Sequence, residues 1–568
     1  MTVLKRSISA IALACLLSPA TQVIADPDAG AYLAGRHAGA ANDFAAGARY
    51  FTKSLASDPA NGFLLENAMT SFIALGQVDR AIPVAEAIVD TGAQSQIANL
   101  ILSARAAKTG EWGEIFAALE QGRGVAPLVD GLSQGWAHLG EGDMTKALAS
   151  FDQVIETEGM TVYGLTHKAY ALASVGDFEG AEAVFADGIS GGTLRYSIRS
   201  AVAHAQVLSQ LGRNDDAIAI LDAVFGGRMD ATTAALRAEL ASGTAVPFDA
   251  ITSPMEGIAD IFQAVAGAIK DDAPDAYTLL YVRAATYLKP SDTDAVLMTA
   301  ELLESLGQFD LANDTYATIG RDDPAFHAAE IGRADVLNAA GREEAAIEVL
   351  EALARSHPEL PQVHASKGDT LRRAQRFAEA AAAYSRALEF YDEANPVKWF
   401  VHYTRGIAYH KVDNWTLAEA DFRAALELRP DHPQVLNYLG YSLVERGEKL
   451  DEALAMIETA AAARPDSGAI IDSLGWVLFQ LGRYDEAVGH MERAASLLPV
   501  DPVINDHLGD VYWAVGRHTE AHFQWNRALS FDPEAEAAAR IRDKLDRGLD
   551  LVLRDEGLQP IRVASGDD

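Results

Sequence analysis

A ruler of 34 residues near the C-terminus constrains this chain more than any other feature. Leu474-Gly475, Leu478, Gly482, Ala487, Ala494 and Pro499 recur as Leu508-Gly509, Tyr512, Gly516, Ala521, Ala528 and Pro533, each shifted by 34 positions. A fixed period of that length marks stacked supersecondary units, none of which can bury its apolar face alone. Run backwards, the ruler starts units near Thr293, His327, Pro361, Trp399, Pro433, Gly468 and Pro502. Four extra residues precede Trp399 and one precedes Gly468. A weaker array starts units near Asp28, Gly62, Gln96, Leu128, Val162 and Ile198. Residues 232–292 fit no register, although Ile258, Ile261, Phe262, Val265 and Ile269 keep a helical spacing.

Each landmark has a physical reading. Small residues at positions 8, 20 and 27 let two helix backbones approach, and large residues at 11 and 24 fill the space between units. Gly at position 15 (Gly176, Gly307, Gly482, Gly516) suits the left-handed residue that ends a first helix. Asp485-Glu486 opens a second helix where its dipole favours acids, and Pro at position 32 closes it. This pattern resembles the tetratricopeptide repeat. The resemblance implies an all-α superhelical solenoid of stacked antiparallel helix pairs, here two arrays joined by degenerate helices. The expected organisation is a signal peptide over 1–25, an N-terminal array over 26–231, an atypical helical connector over 232–292, a C-terminal array over 293–535, and a capping helix and tail over 536–568. Ile541, Leu545 and Leu549 recur along that charged capping helix.

The N-terminus reads as an export signal: Lys5-Arg6, an apolar run from Ile8 to Leu17, then Val23-Ile24-Ala25 before a cleavage point that makes Asp26 the first mature residue. The alternative is lipidation at Cys15, which follows Ala12-Leu13-Ala14; only then is membrane attachment expected. Cys15 is the single cysteine, so cleavage after Ala25 leaves no thiol. The expected location is the periplasm, with outer-membrane association as the lipidated variant. A formal charge of −35 argues against nucleic acid, whose phosphates need clustered Lys and Arg, and favours a partner with basic segments.

No catalytic or cofactor-binding constellation emerges, so neither a cofactor nor a metal is expected and the chain reads as a non-enzyme. Gly131-Leu132-Ser133-Gln134-Gly135 matches a hydrolase string, but it lies inside a repeat helix with no strand before it. His518 and His522 are four residues apart without the glutamate of a zinc-protease motif, and His518 takes a position that is aromatic in other units.

The resemblance implies that positions 5, 9 and 12 of each first helix line a concave groove. Units from Thr293 to Pro361 carry Glu301, Asp335, Asp369 and Glu304 there. Units from Trp399 onward carry Tyr403, Tyr441, Trp476, Phe479 and Trp513, edged by Asp472, Asp506 and Asp510. Exposed aromatics beside charge are anchors for a bound polypeptide. The Lys/Asn/Arg clamp by which some relatives hold a free carboxylate is replaced by acids and aromatics, so a basic or apolar segment is the expected ligand. The run Leu436 to Leu443, Asp472 to Trp476 and His507 to Trp513 is similar to repeats of exported Gram-negative tetratricopeptide proteins, including the lipoprotein adaptor of a carboxyl-terminal processing protease. That similarity implies a periplasmic adaptor with such a protease among its partners. A glycan or peptidoglycan binder stacking sugars on Trp476 and Trp513 is the alternative.

Overall fold

A computed structural model describes residues 27–226, 229–392, 395–558 and 561. The export signal, Cys15 and most of the tail after Gln559 lie outside the described residues. Among the described residues there are 31 helices and no strand. First helices begin at Pro27, Gly62, Gln96, Pro127, Thr161 and Ile198, and later at Thr293, Phe326, Pro361, Lys398, Pro433, Gly468 and Pro502. Each start lies within one residue of the unit start read from sequence.

The pairing rests on one contact repeated along the chain. A Cβ at Gly135 would meet the Phe151 ring at 2.5 Å, one at Gly368 the Tyr384 ring at 2.5 Å, and one at Gly509 Trp525 at 2.4 Å. Position 24 of the second helix therefore presses on the bare backbone of position 8 in the same unit, instead of only filling space between units. Gly176, Gly307, Gly482 and Gly516 all have φ between +71 and +87 where the first helix turns back. Ser133 sits within the Pro127–Gly140 helix, buried, two residues before the glycine that takes the Phe151 ring.

The chain divides into two compact units, 1–341 and 342–568. The Thr293–Ser305, Phe309–Tyr316 and Phe326–Ala339 helices therefore group with the N-terminal array. In the first unit the stretch 232–292 forms the Ala231–Ala241, Pro254–Ile269 and Asp275–Leu288 helices. The last two fold back across the first helices of the array. The Pro254–Ile269 helix lies on Pro127–Gly140, Gln96–Thr109 and Thr161–Ser174, and Asp275–Leu288 lies on Gln96–Thr109 and Gly62–Ala74. One apolar core then runs from Ala48 to Val336. Ile258, Ile261 and Phe262 are buried in it, and each such side chain contributes roughly 1.5–3 kcal/mol.

In the second unit the charged stretch after Pro533 is two helices, Ala535–Arg547 and Leu549–Asp555, not one. Gly548 separates them with φ +83, and a Cβ there would strike the Trp513 ring at 2.6 Å. The break lets the last helix fold over Trp513, which a continuous helix could not do.

Candidate functional site

In the first unit the inner face is sealed by polar as well as apolar contacts. Trp136 is fully buried, and a Cβ at Gly257 would touch its ring at 2.2 Å. Trp136 Nε1 donates to His167 Nδ1 at 3.1 Å, and burial holds that imidazole below its usual pKa, hence neutral. Asp260 is carried onto the same face and pairs with Arg199 at 2.9 Å, which also meets Asp292 at 3.1 Å. Further along, Tyr277 donates to Gln96 Oε1 at 3.0 Å, and Gln206 Nε2 donates to Asp249 Oδ1 at 2.6 Å. The surface that a partner would use in this array is occupied by the chain itself.

The corresponding face of the second unit is divided. At its C-terminal end the residues expected to edge an open groove are closed off. Lys544, on the Ala535–Arg547 helix, is 0% exposed; its Nζ lies 2.8 Å from Asp506 and 2.7 Å from Asp510. Asp510, 1% exposed, also accepts from Trp525 Nε1 at 2.9 Å. Burial, the dominant influence, raises the Asp510 carboxyl despite the opposing pull of Lys544. Trp513 stacks on His518 with centroids 4.2 Å apart and donates Nε1 to Asp550 at 3.0 Å. Asp506, Asp510 and Trp513 thus hold the closing helices, a correction to their expected exposure. Buried acids cannot remain unpaired, and the ruler itself supplies the base: Lys544 stands 34 residues after Asp510.

Trp476 is a half-buried ring with both faces covered. Phe479 lies parallel at 4.8 Å and His507 at 3.9 Å, and the two make no ring contact with each other. Phe479 itself is buried. His507 Nδ1 donates to the buried Asp472 at 3.0 Å, and that carboxylate raises the imidazole pKa against the larger opposing effect of burial. Asp472 therefore serves His507. With Trp476 sandwiched and Trp513 covered, neither indole is an open platform for a sugar ring.

The middle of the face remains accessible. Tyr403, Ile407, Asn437, Tyr441 and the edge of Trp476 are partly exposed on successive first helices, Lys398–Lys411, Pro433–Glu445 and Gly468–Gln480. Burial, the largest influence, raises the Tyr441 phenol, and the nearby Glu445 and Asp472 carboxylates add to it. Tyr403 packs edge-on against Tyr438 at 6.1 Å. On the Pro433–Glu445 helix, Asn437 Oδ1 is buried with no hydrogen-bond partner among the described residues. Sequence reasoning missed Lys544, Gly257 and Asn437's unmet acceptor. Extending the ruler past Pro533 was the signal for the first; nothing in the spacing announces the other two.

A tetratricopeptide-repeat model matches residues 32–96, 297–361, 344–395, 403–468 and 446–502. A tetratricopeptide-repeat-containing protein of Pseudomonas aeruginosa is 30% identical over 173 residues, covering 30% of this chain and 28% of that protein. The chain thus spans little more than a quarter of that relative's length. Among solved structures, the Cut9–Hcn1 hetero-tetramer of the APC/C has a TM-score of 0.38 at 12% identity, covering 92% of this chain and 96% of that one. A tetratricopeptide repeat protein of Parabacteroides merdae has a TM-score of 0.36 at 16% identity, covering 44% and 97%. MamA has a TM-score of 0.26 at 28% identity, covering 30% and 97%. The matched segments, just under half of the chain, are tetratricopeptide helix pairs in the register described above.

Proposed function

We propose that this protein is an exported binding scaffold that holds an extended, basic or apolar segment of a partner protein on the open face of its second unit. Tetratricopeptide repeats are protein-interaction scaffolds, and the finer reading rests on one observation. Asn437 Oδ1 is an unmet buried acceptor on the helix that also carries Tyr441. A buried acceptor without a donor costs about 1–3 kcal/mol. Turned outward, the partly exposed Asn437 side chain meets a backbone N–H of a bound segment while Tyr403 and Tyr441 cover its side chains. The surrounding Glu445 and the net charge of −35 favour a basic segment. Presentation of such a partner to a periplasmic processing protease is the role suggested by the likeness of these repeats to exported adaptors.

The test is an affinity pull-down from envelope extract with mass spectrometry, beside a Tyr403→Ala/Asn437→Ala/Tyr441→Ala control. A protease or wall hydrolase retained by the wild type and lost with the control supports the reading; equal retention by both refutes the face assignment. Export is tested separately by sequencing the N-terminus of the native protein. A chain starting at Asp26 supports cleavage, and a lipid-blocked Cys15 replaces it with an anchored form.

A further inference from the structure

The first unit contains a cleft of about 440 Å³ between the turn after the Gly62–Ala74 helix and the Asp275–Leu288, Thr293–Ser305 and Phe309–Tyr316 helices. Arg283 lines it. Its Nε donates to the last carbonyl of the first of these helices, Ala74 O, at 3.1 Å. The two terminal nitrogens carry four more N–H donors. No ion pair or further hydrogen bond engages them among the described residues. Burial alone acts on this guanidinium and pulls its pKa down to about 10.

That isolation is out of character for the chain. It holds 81 acidic residues against 46 Lys and Arg, and Arg199 in the same unit takes Asp260, Asp292 and Asp294. Gly76, with φ +72, lies against the guanidinium; a Cβ there would sit 3.3 Å from Nη1. A second cation stands nearby. Lys108 Nζ lies 3.5 Å from the centre of the Tyr287 ring, which lines the cleft, and donates to that residue's carbonyl at 3.0 Å. The carboxylates in the neighbourhood are Asp314, exposed on the lining, and Asp79, which accepts from the Tyr287 hydroxyl at 2.9 Å. Neither pairs with Arg283. The Thr299 and Thr315 hydroxyls donate to carbonyls of their own helices, each at 2.7 Å, so their protons are committed and Arg283 is the donor left for a ligand. Leu75, Val78, Val296 and Leu311 supply apolar wall.

A desolvated cation without a counter-ion, opening into a mixed cleft of ligand size, has the makings of an oxyanion site. We propose that this cleft binds a carboxylate carrying an apolar body, with the carboxylate on the terminal nitrogens of Arg283 and the body against Leu75, Val78, Val296 and Leu311. The site is independent of the partner face in the second unit.

The test is isothermal titration of the full chain with sodium octanoate, beside octylamine and inorganic phosphate. Octanoate is expected to bind at one site per chain, more tightly than either comparison, and Arg283→Met is expected to weaken it at least tenfold. Arg283→Met also separates this role from a purely structural one: loss of an unpaired buried cation leaves the melting temperature equal or higher, whereas an arginine that only caps a helix lowers it when removed. Should Arg283→Met fail to fold, Leu311→Glu decides, because a carboxylate supplied within the cleft pairs with Arg283, raises the melting temperature and blocks octanoate. Equal binding of octanoate and octylamine, or octanoate binding unchanged in either variant, overturns the proposal. Phosphate binding as tightly as octanoate also overturns it, because a bare oxyanion needs no apolar wall.

Discussion

Replacing Lys544 by methionine gives the most exacting test of how the second unit closes. The substitution keeps the apolar stem and removes only the ammonium. In the native unit that ammonium touches Asp506 at 2.8 Å and Asp510 at 2.7 Å, with no exposed surface of its own. Without it, Asp510 keeps a hydrogen bond from Trp525 Nε1 and the more distant Arg540 at 3.7 Å. Breaking one side of a buried pair costs about 3–5 kcal/mol, because a charge is left uncompensated. The Asp510 carboxyl is already raised by burial with Lys544 present, and losing Lys544 removes the chief opposing pull. A carboxyl whose folded pKa exceeds its unfolded value penalises the fold when ionised, so the penalty is greatest above the folded pKa and fades as pH falls through it. Urea unfolding followed by Trp fluorescence should therefore show Lys544→Met less stable by about 3–5 kcal/mol at pH 7, with the deficit shrinking as the pH is lowered. Adding Asp510→Asn, which removes the charge but keeps an acceptor for Trp525, should restore most of the loss. A deficit below about 1 kcal/mol, the scale of an exposed ion pair, or one that does not change with pH, refutes the buried-triad account.

Other predictions follow from single contacts. Gly509→Ala forces a Cβ to 2.4 Å from Trp525 and should cost about 1–3 kcal/mol by overpacking, measured by thermal unfolding. Gly257→Val drives a branched side chain into Trp136 and should lift the Pro254–Ile269 helix, seen as new proteolytic cleavage between residues 241 and 254. His507 is held protonated by Asp472, so its contribution is complete below the unfolded pKa and is lost as pH rises through the raised folded one. Trp476 fluorescence, quenched by the protonated ring stacked at 3.9 Å, should therefore brighten above pH 6.5, and His507→Gln should abolish that step.

The repeat register was legible because it is local: positions 8 and 24 lie in one unit, and glycine beneath a large ring repeats at one spacing. Gly482 and Gly516 likewise announced their turns. What sequence could not show was which faces stay open. Asp472, Asp506 and Asp510 occupy groove positions by register, yet each is committed to a base, His507 or Lys544, from another helix. The helical spacing of Ile258, Ile261 and Phe262 announced a helix but not its berth against Trp136, which depends on Gly257 meeting a ring 121 residues earlier in the chain. Arg283 carries no motif at all; only the absence of a carboxylate around it in three dimensions sets it apart.

The central claim is that a partner polypeptide lies on the open face of the second unit. A photo-crosslinking benzoylphenylalanine placed at Tyr441, and separately at Phe523, which is 66% exposed on a second helix, tests it in living cells. The account predicts that one partner protein is captured at Tyr441 and not at Phe523, and that Asn437→Ala weakens the capture. Capture of that partner at Phe523 with none at Tyr441 would contradict it.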